Sequence, residues 1–124
     1  MRINPVINPI SFKYKSVLKT EWLKGNMPTV KHDIGGNLLT IENVTNGHML
    51  PVSKGGKTIL ANLTLETLAY NQMKGNKPFS WFFDTKNFMR YCDEVAQVDL
   101  PNFKGIDYVR GIIETAFNLL RERK

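Results

Sequence analysis

Apolar and polar residues are arranged along this chain in three successive patterns, and each predicts a different kind of structure. The first zone, residues 1–36, begins with Pro5 and Pro9, which discourage regular structure. Lys13 to Leu23 carries apolar residues at helical spacing and predicts a short helix. A glycine pair at positions 35–36 then predicts a turn before the next element.

The middle zone predicts a strand, a loop, a second strand and a helix. Leu38 to Val44 is rich in β-forming residues and predicts a strand that leads to His48. Pro51 through Lys57 predicts a loop, because proline and a glycine pair interrupt a β-ladder. Asn62 to Leu65 predicts a short return strand, and Glu66 to Lys74 predicts the helix that follows it.

The helix predicted for residues 66–74 has an apolar side and a polar side. Helical spacing brings together four residues on the apolar side: Leu65, Leu68, Ala69 and Met73. Thr67, Asn71 and Lys74 line the other side. The helix is expected to cross beneath the hairpin with Asn71 pointing into the gap between them.

The last zone predicts two more helices and completes an α+β fold. Asp84 is placed to cap the first of them, and Pro101 and Gly105 separate it from an amphipathic helix that reaches Leu120. The aromatic cluster at residues 79–83 is expected to fill the core between the zones. We find no repeat or long linker, so the pattern predicts one domain over residues 1–124.

Composition narrows the class of protein. The chain has 124 residues, of which 42% are hydrophobic, and this is sufficient for one modest core. It has no apolar run of membrane-spanning length and no secretion-signal pattern at its start, so we expect a soluble intracellular protein. A single cysteine, Cys92, excludes an internal disulfide and a structural zinc site built from paired cysteines.

The positive charge is concentrated in one part of the chain. The formal net charge is +6, and residues 1–80 hold ten Lys and Arg against four Asp and Glu. Residues 81–124 hold seven of each, so the whole excess accompanies the segment around His48. Such a surface suits a polyanion such as DNA, because neutralising phosphates releases counterions. The alternative interpretation is a basic surface that is merely solvated.

His48, Asn62 and Asn71 form the most specific pattern in the sequence. Between them lie Pro51, Ser53 and the glycine pair 55–56, and Lys74-Gly75 follows. Residues 38–78 therefore resemble the catalytic core of the HNH endonucleases, including the HNH domain of the CRISPR effector nucleases. The resemblance covers about a third of the chain. It implies a ββα-metal fold, with extra helices here at both ends, and metal-dependent cleavage of DNA that leaves 5′-phosphate ends.

The resemblance also implies a role for each of the three residues. His48 is expected to act as the general base that activates water, and Asn62 to brace the loop and orient the histidine or the scissile phosphate. Asn71 is expected to bind a single divalent metal ion, Mg²⁺ in many members of the family. Such an amide oxygen is a hard ligand of the type that Mg²⁺ accepts. Structural zinc is not expected.

Gly47 departs from the family pattern, which has Asp or Glu immediately before the histidine as a second metal ligand. Glycine has no side chain and cannot coordinate, so the loss should weaken Mg²⁺ binding. Three interpretations stay open. Asn46 or Glu42 reaches in as a substitute; the protein binds nucleic acid without cutting it; or the position lost its acidic residue naturally or by engineering.

Four lysines near the motif are candidate nucleic-acid contacts. Lys54 and Lys57 are expected to meet the phosphate backbone from the loop, and Lys74 to steady the scissile phosphate, with Lys77 close by. The alternative is that these lysines only keep the protein soluble. His32 and Asp33 form an ionisable pair outside the motif and are interpreted as surface polar structure. DNA is the expected partner, and a homodimer would let a small nuclease meet both strands.

Overall fold

The computed structural model describes residues 17–122 and has a mixed α+β architecture, which confirms the predicted class. Its helices and strands, in chain order, are α1 (residues 17–23), β1 (Val44–His48), β2 (Leu63–Thr67), α2 (Leu68–Lys74), α3 (Phe79–Phe82), α4 (Thr85–Ala96), β3 (Asp99–Leu100), β4 (Phe103–Lys104) and α5 (Gly105–Arg121). Residues 13–16 of the predicted first helix lie outside the described range. None of the described helices is both long and apolar enough to cross a membrane.

The hairpin of β1 and β2 leads directly into α2. The strands are antiparallel, with Val44 opposite Thr67 and His48 opposite Leu63. Thr67 ends β2 and also caps α2, because its hydroxyl accepts a hydrogen bond from the backbone N–H of Tyr70 at 3.3 Å. No loop separates strand from helix, so the position of α2 is fixed by the hairpin itself.

The predicted first strand was placed too early in the chain. Residues 38–43 form a bridge and turns, and the strand begins only at Val44. The cause is Asn43, whose side-chain oxygen accepts from the N–H of Thr40 at 2.8 Å while its amide donates to the carbonyl of Leu38 at 3.2 Å. Local side-chain bonds of this kind compete with a β-ladder.

The predicted start of the second helix was also wrong, because Glu66 belongs to β2. The backbone there is held extended by contacts from distant residues. The N–H of Thr67 donates to Asp33 Oδ2 at 2.8 Å, and the N–H of Leu68 donates to the Asn43 carbonyl at 2.7 Å. The helix therefore begins two residues later than predicted.

Helix α2 turns its polar side toward the hairpin, as expected for Asn71, but this also buries Lys74. Leu68 and Met73, from the apolar side, are 46% and 57% exposed, whereas Lys74 is only 3% exposed. Lys74 turns inward because the strand surface beneath α2 carries the buried carboxylate of Glu66. A buried charge needs a partner, and this requirement overrides the amphipathic pattern.

Helices α4 and α5 are confirmed as predicted and support the hairpin from its other side. Asp84 caps α4 by accepting from the N–H of Asn87. The N–H of Leu65 donates to the Tyr91 hydroxyl at 2.9 Å, and the Tyr108 hydroxyl donates to the carbonyl of Leu63 at 2.6 Å. The two hydroxyls lie 2.8 Å apart. These bonds join both helices to β2 in the centre of the core.

The aromatic cluster fills the core only in part. Phe79 is buried, and its ring centroid lies 5.5 Å from Phe83 and 6.4 Å from Phe88. Trp81 is 70% exposed, so the prediction of a buried cluster is wrong for this residue. A four-residue helix turns one side inward and must leave the opposite side in solvent.

Candidate functional site

The hairpin has one polar face, and α2 packs on it. In an antiparallel pair, residues directly opposite each other project to the same side of the sheet. Thr45 is opposite Glu66, and Gly47 is opposite Thr64, so these four share a face. Leu63 on the other face is fully buried. The polar face is therefore enclosed between a hairpin and a helix.

A buried ion pair occupies this enclosed face. Lys74 Nζ donates to Glu66 Oε2 at 2.5 Å and to the backbone carbonyl of His48 at 2.7 Å. The hydroxyl of Thr64 donates to the same carboxylate oxygen at 2.9 Å. Burial raises the pKa of Glu66, and the neighbouring Lys74 only partly opposes that rise. Through its bond to the carbonyl of His48, the ammonium of Lys74 also joins α2 to the end of β1.

Gly47 leaves room for the Glu66 carboxylate. A Cβ atom added at Gly47 would lie 2.5 Å from Glu66 Oε2 and closer still to Oε1 and Cδ. The φ angle of Gly47 is not positive, so its backbone conformation does not itself require glycine. Glycine is required here because the carboxylate of Glu66 fills the space where a side chain would begin.

The two oxygens of that carboxylate differ in their hydrogen bonds to the described residues. Glu66 Oε1 is buried and accepts no hydrogen bond from residues 17–122, whereas Oε2 accepts two. A buried acceptor left in this condition is disfavoured and needs an explanation. Sequence reasoning missed Glu66 because it was assigned to a helix. Extending β2 to Thr67 would have placed Glu66 on the face of Gly47 through the two-residue alternation of a strand.

Asn71 lies on the same face and contacts β1. Its Nδ2 donates to the hydroxyl of Thr45 at 3.0 Å and to the carbonyl of Asn46 at 3.4 Å. The Thr45 hydroxyl in turn donates to the backbone carbonyl of Glu66 at 2.8 Å. The amide predicted to bind metal is therefore connected to the strand that carries the buried carboxylate.

His48 ends β1 and is half-buried. Its Nε2 lies 3.0 Å from the hydroxyl of Thr58 in the loop between the strands. By strand alternation its ring belongs to the face of Leu63, while its carbonyl meets Lys74 on the face of α2. By this alternation the imidazole of His48 and the amide of Asn71 lie on opposite faces of the hairpin, and the contacts of Asn71 lie two to three residues further back along β1.

Asn62 braces the loop between the strands. Its side-chain oxygen accepts from the N–H of Leu50 at 2.8 Å, and its amide donates to the carbonyls of Leu50 at 3.0 Å and Lys57 at 2.9 Å. The residue is 5% exposed, and both of its amide hydrogens are engaged with backbone. These bonds hold the loop against the start of β2 and so position the segment that carries Thr58.

Three of the four candidate lysines are exposed. Lys54 and Lys57 lie on the loop, and Lys77 follows α2 with its ammonium 5.8 Å from the ring centroid of Trp81. Lys74 is buried in the ion pair and is not part of this exposed basic surface. Glu42, considered as a substitute ligand, is exposed in the turn before β1.

Comparison with known proteins identifies no relative: no family model, no curated protein and no solved structure matches the chain. Within residues 17–122, no cluster of three or more His, Cys, Asp or Glu side chains is arranged to hold a metal ion. The HNH resemblance accordingly stays a prediction from the motif residues of the sequence.

Proposed function

We propose that this protein is a metal-dependent endonuclease of HNH type that hydrolyses DNA phosphodiester bonds. The observation that supports this most strongly is the packing of α2 along β1. Asn71 contacts the middle of the strand, and Lys74 contacts the carbonyl of His48 at its end. A histidine that ends one strand and an asparagine on the helix directly after the hairpin are the parts that such a site needs.

Phosphodiester hydrolysis requires a base, a cation and a scaffold that holds both. In this proposal the imidazole of His48 takes the proton from the attacking water, and Thr58 fixes the orientation of the ring. Asn62 acts indirectly, because it positions the loop that carries Thr58. Bound Mg²⁺ supplies the Lewis acidity that takes up charge on the phosphate and the leaving oxygen.

The oxygen donors on the polar face fit such a cation. Mg²⁺ favours hard oxygen ligands, takes only one or two carboxylates from the protein and keeps several waters. Asn71 offers an amide oxygen, and Glu66 offers the buried Oε1 that accepts no hydrogen bond in the described range. This donor set suits Mg²⁺ or Mn²⁺ better than zinc, which prefers nitrogen and sulfur ligands.

The exposed lysines support DNA as the substrate. Lys54 and Lys57 lie on the loop braced by Asn62, and Lys77 lies just beyond α2. Phosphate contacts of this kind fix the register of a protein on a duplex and carry no sequence information. In this proposal the loop lysines hold the backbone beside the bond that is cut.

A second candidate is a DNA-binding protein that does not cut. The observation that favours it is the ion pair, because the ammonium of Lys74 already neutralises the buried carboxylate of Glu66. This candidate keeps the basic surface and the loop lysines and loses only turnover. The two candidates differ in whether metal and His48 have any effect on DNA.

Incubation of supercoiled plasmid with Mg²⁺ or Mn²⁺ tests both candidates. Nicking that is lost in His48→Ala supports the nuclease. The matched control is His32→Ala, because His32 is also half-buried but pairs with Glu94 of α4, 2.9 Å away. A salt-sensitive mobility shift without nicking supports the binding protein. If the protein neither nicks the plasmid nor shifts its mobility, both candidate functions are refuted.

A further inference from the structure

We infer that Glu66 supplies, from β2, the carboxylate ligand that the residue before the histidine supplies in HNH endonucleases, and that Glu66 and Asn71 together hold the divalent cation. This inference rests on the proposed function and deepens it. It explains why Gly47 is compatible with a metal site. The missing ligand is provided by the neighbouring strand.

The first support is the position of the carboxylate. The space next to Gly47, where an acidic side chain would begin, is filled by Cδ and both oxygens of Glu66. A side chain at 47 and the side chain of Glu66 therefore exclude each other. The anionic group reaches the same region of the polar face from either strand, because Gly47 and Glu66 project to the same side of the hairpin.

The second support is the different condition of the two carboxylate oxygens. Oε2 is held by Lys74 and Thr64, and this fixes the orientation of the carboxylate. Oε1 is buried and accepts no hydrogen bond within residues 17–122. A carboxylate oxygen that is oriented and desolvated in this way is suited to a hard cation such as Mg²⁺. Lys74 acts here as a positioning residue.

The third support is the proximity of Asn71. On a helix, residues three apart are neighbours, so Asn71 precedes by one turn the Lys74 whose ammonium contacts Glu66. The Asn71 amide also donates to Thr45, which is directly opposite Glu66 in the hairpin. One carboxylate and one amide are thereby brought to the same small region between β1, β2 and α2.

Mn²⁺ binding to the full chain tests the inference without relying on catalysis. Free Mn²⁺ is measured by electron paramagnetic resonance in titrations of wild type, Glu66→Gln and the control Glu42→Gln, whose carboxylate is exposed in the turn before β1. We expect Glu66→Gln to weaken Mn²⁺ binding by at least roughly tenfold, and Glu42→Gln to change it by less than about twofold. Circular dichroism at the titration temperature verifies that each variant is folded.

A second test moves the carboxylate from residue 66 to residue 47. Its expected result would not occur if Glu66 had only a structural role. Glu66→Ala should lose Mn²⁺ binding, and the double variant Gly47→Asp/Glu66→Ala should recover it, because the space beside residue 47 is then empty. The inference is overturned if Glu66→Gln binds Mn²⁺ as wild type does. It is also overturned if the folded double variant binds no better than Glu66→Ala.

The results separate this inference from the proposed function. DNA nicking that depends on His48, combined with Mn²⁺ binding that is indifferent to Glu66, overturns the inference and leaves the nuclease standing. Mn²⁺ binding that depends on Glu66, without cleavage of any DNA, supports the inferred ligand and overturns the nuclease. The two outcomes use different readouts of the same protein preparations.

Discussion

Replacing Gly47 with alanine adds a single methyl group at the most crowded point of the polar face. The new Cβ would lie within 2.5 Å of Glu66 Oε2 and closer to two further atoms of that carboxylate. Glu66 has little freedom to retreat, because it is fully buried and Oε2 is held by Lys74 and Thr64. We therefore expect Gly47→Ala to destabilise the fold, although alanine is acceptable to the backbone at this position.

The size of the effect follows from the kind of clash. Overpacking a filled interior costs about 1–3 kcal/mol. The upper part of that range, about 2–3 kcal/mol, applies here because the clash is with a fixed carboxylate rather than a flexible chain end. If the carboxylate is pushed away from Lys74, the cost rises toward the ~3–5 kcal/mol of a broken buried ion pair. For a chain of this length, about 2–3 kcal/mol lowers Tm by roughly 8–12 °C.

Urea unfolding followed by far-UV circular dichroism measures the change in the free energy of unfolding. The matched control is Gly111→Ala on α5, where an added Cβ would be 3.4 Å from Ala61 in ordinary contact. That variant should be neutral or stabilised by up to about 1 kcal/mol through helix propensity. A double-mutant cycle with Glu66→Ala then isolates the coupling between the two positions.

In the Glu66→Ala background, the additional change Gly47→Ala should cost less than about 0.5 kcal/mol, because the carboxylate that it meets is gone. The coupling energy between positions 47 and 66 should therefore account for most of the free energy of unfolding that Gly47→Ala loses in the wild-type background. If Gly47→Ala in the wild-type background loses less than about 0.5 kcal/mol, the carboxylate does not fill the space beside residue 47. The inferred role of Glu66 as a relocated ligand would then lose its geometric basis.

Three further changes test other parts of the structure. Asn62→Ala should lower the free energy of unfolding by about 2–3 kcal/mol in urea, because three hydrogen bonds to the loop are lost; a loss under about 0.5 kcal/mol would contradict that role. Tyr108→Phe removes the donor to a β2 carbonyl and should cost about 1–2 kcal/mol, with near-UV circular dichroism unchanged. Burial opposes ionisation of Glu94, but hydrogen bonds from Lys31 and His32 lower its pKa below 4.5. Its ionised form therefore stabilises the fold at pH values above the normal pKa of a glutamate, and the Tm difference between wild type and Glu94→Gln should shrink as the pH falls through the lowered pKa of Glu94. A Tm difference that does not change with pH would contradict the direction of this effect.

Local signals in the sequence predicted the helices of the last zone. Asp84 caps α4 through a bond to a residue three positions on, and the apolar stripe of α5 repeats at helical spacing up to its last turn. Information of this kind lies within a few residues of the element that it specifies. The order of strand, loop, strand and helix was recovered for the same reason.

The boundary between β2 and α2 was not predictable from local signals. It is set by Asp33, which accepts a hydrogen bond from the N–H of Thr67 across 34 positions of sequence. The prediction that Asp33 lies at the surface is wrong, because Asp33 is fully buried and also accepts from the N–H groups of Gly35 and Asn37. A two-residue error at this boundary moved Glu66 from a strand to a helix and removed it from the candidate site.

The burial of Lys74 on the polar side of α2 was missed for a related reason. A helical pattern shows which residues share a side, and it does not show what the side meets. Here the partner surface carries a buried carboxylate, so Lys74 is buried while Leu68 and Met73 remain in solvent. A buried ion pair is weak support for stability, because well-packed apolar residues of the same volume are often as stable or more so. The glycine that accommodates Glu66, the lysine that orients it and the oxygen that accepts no hydrogen bond within residues 17–122 are the features that we expect of the metal-binding carboxylate that we infer.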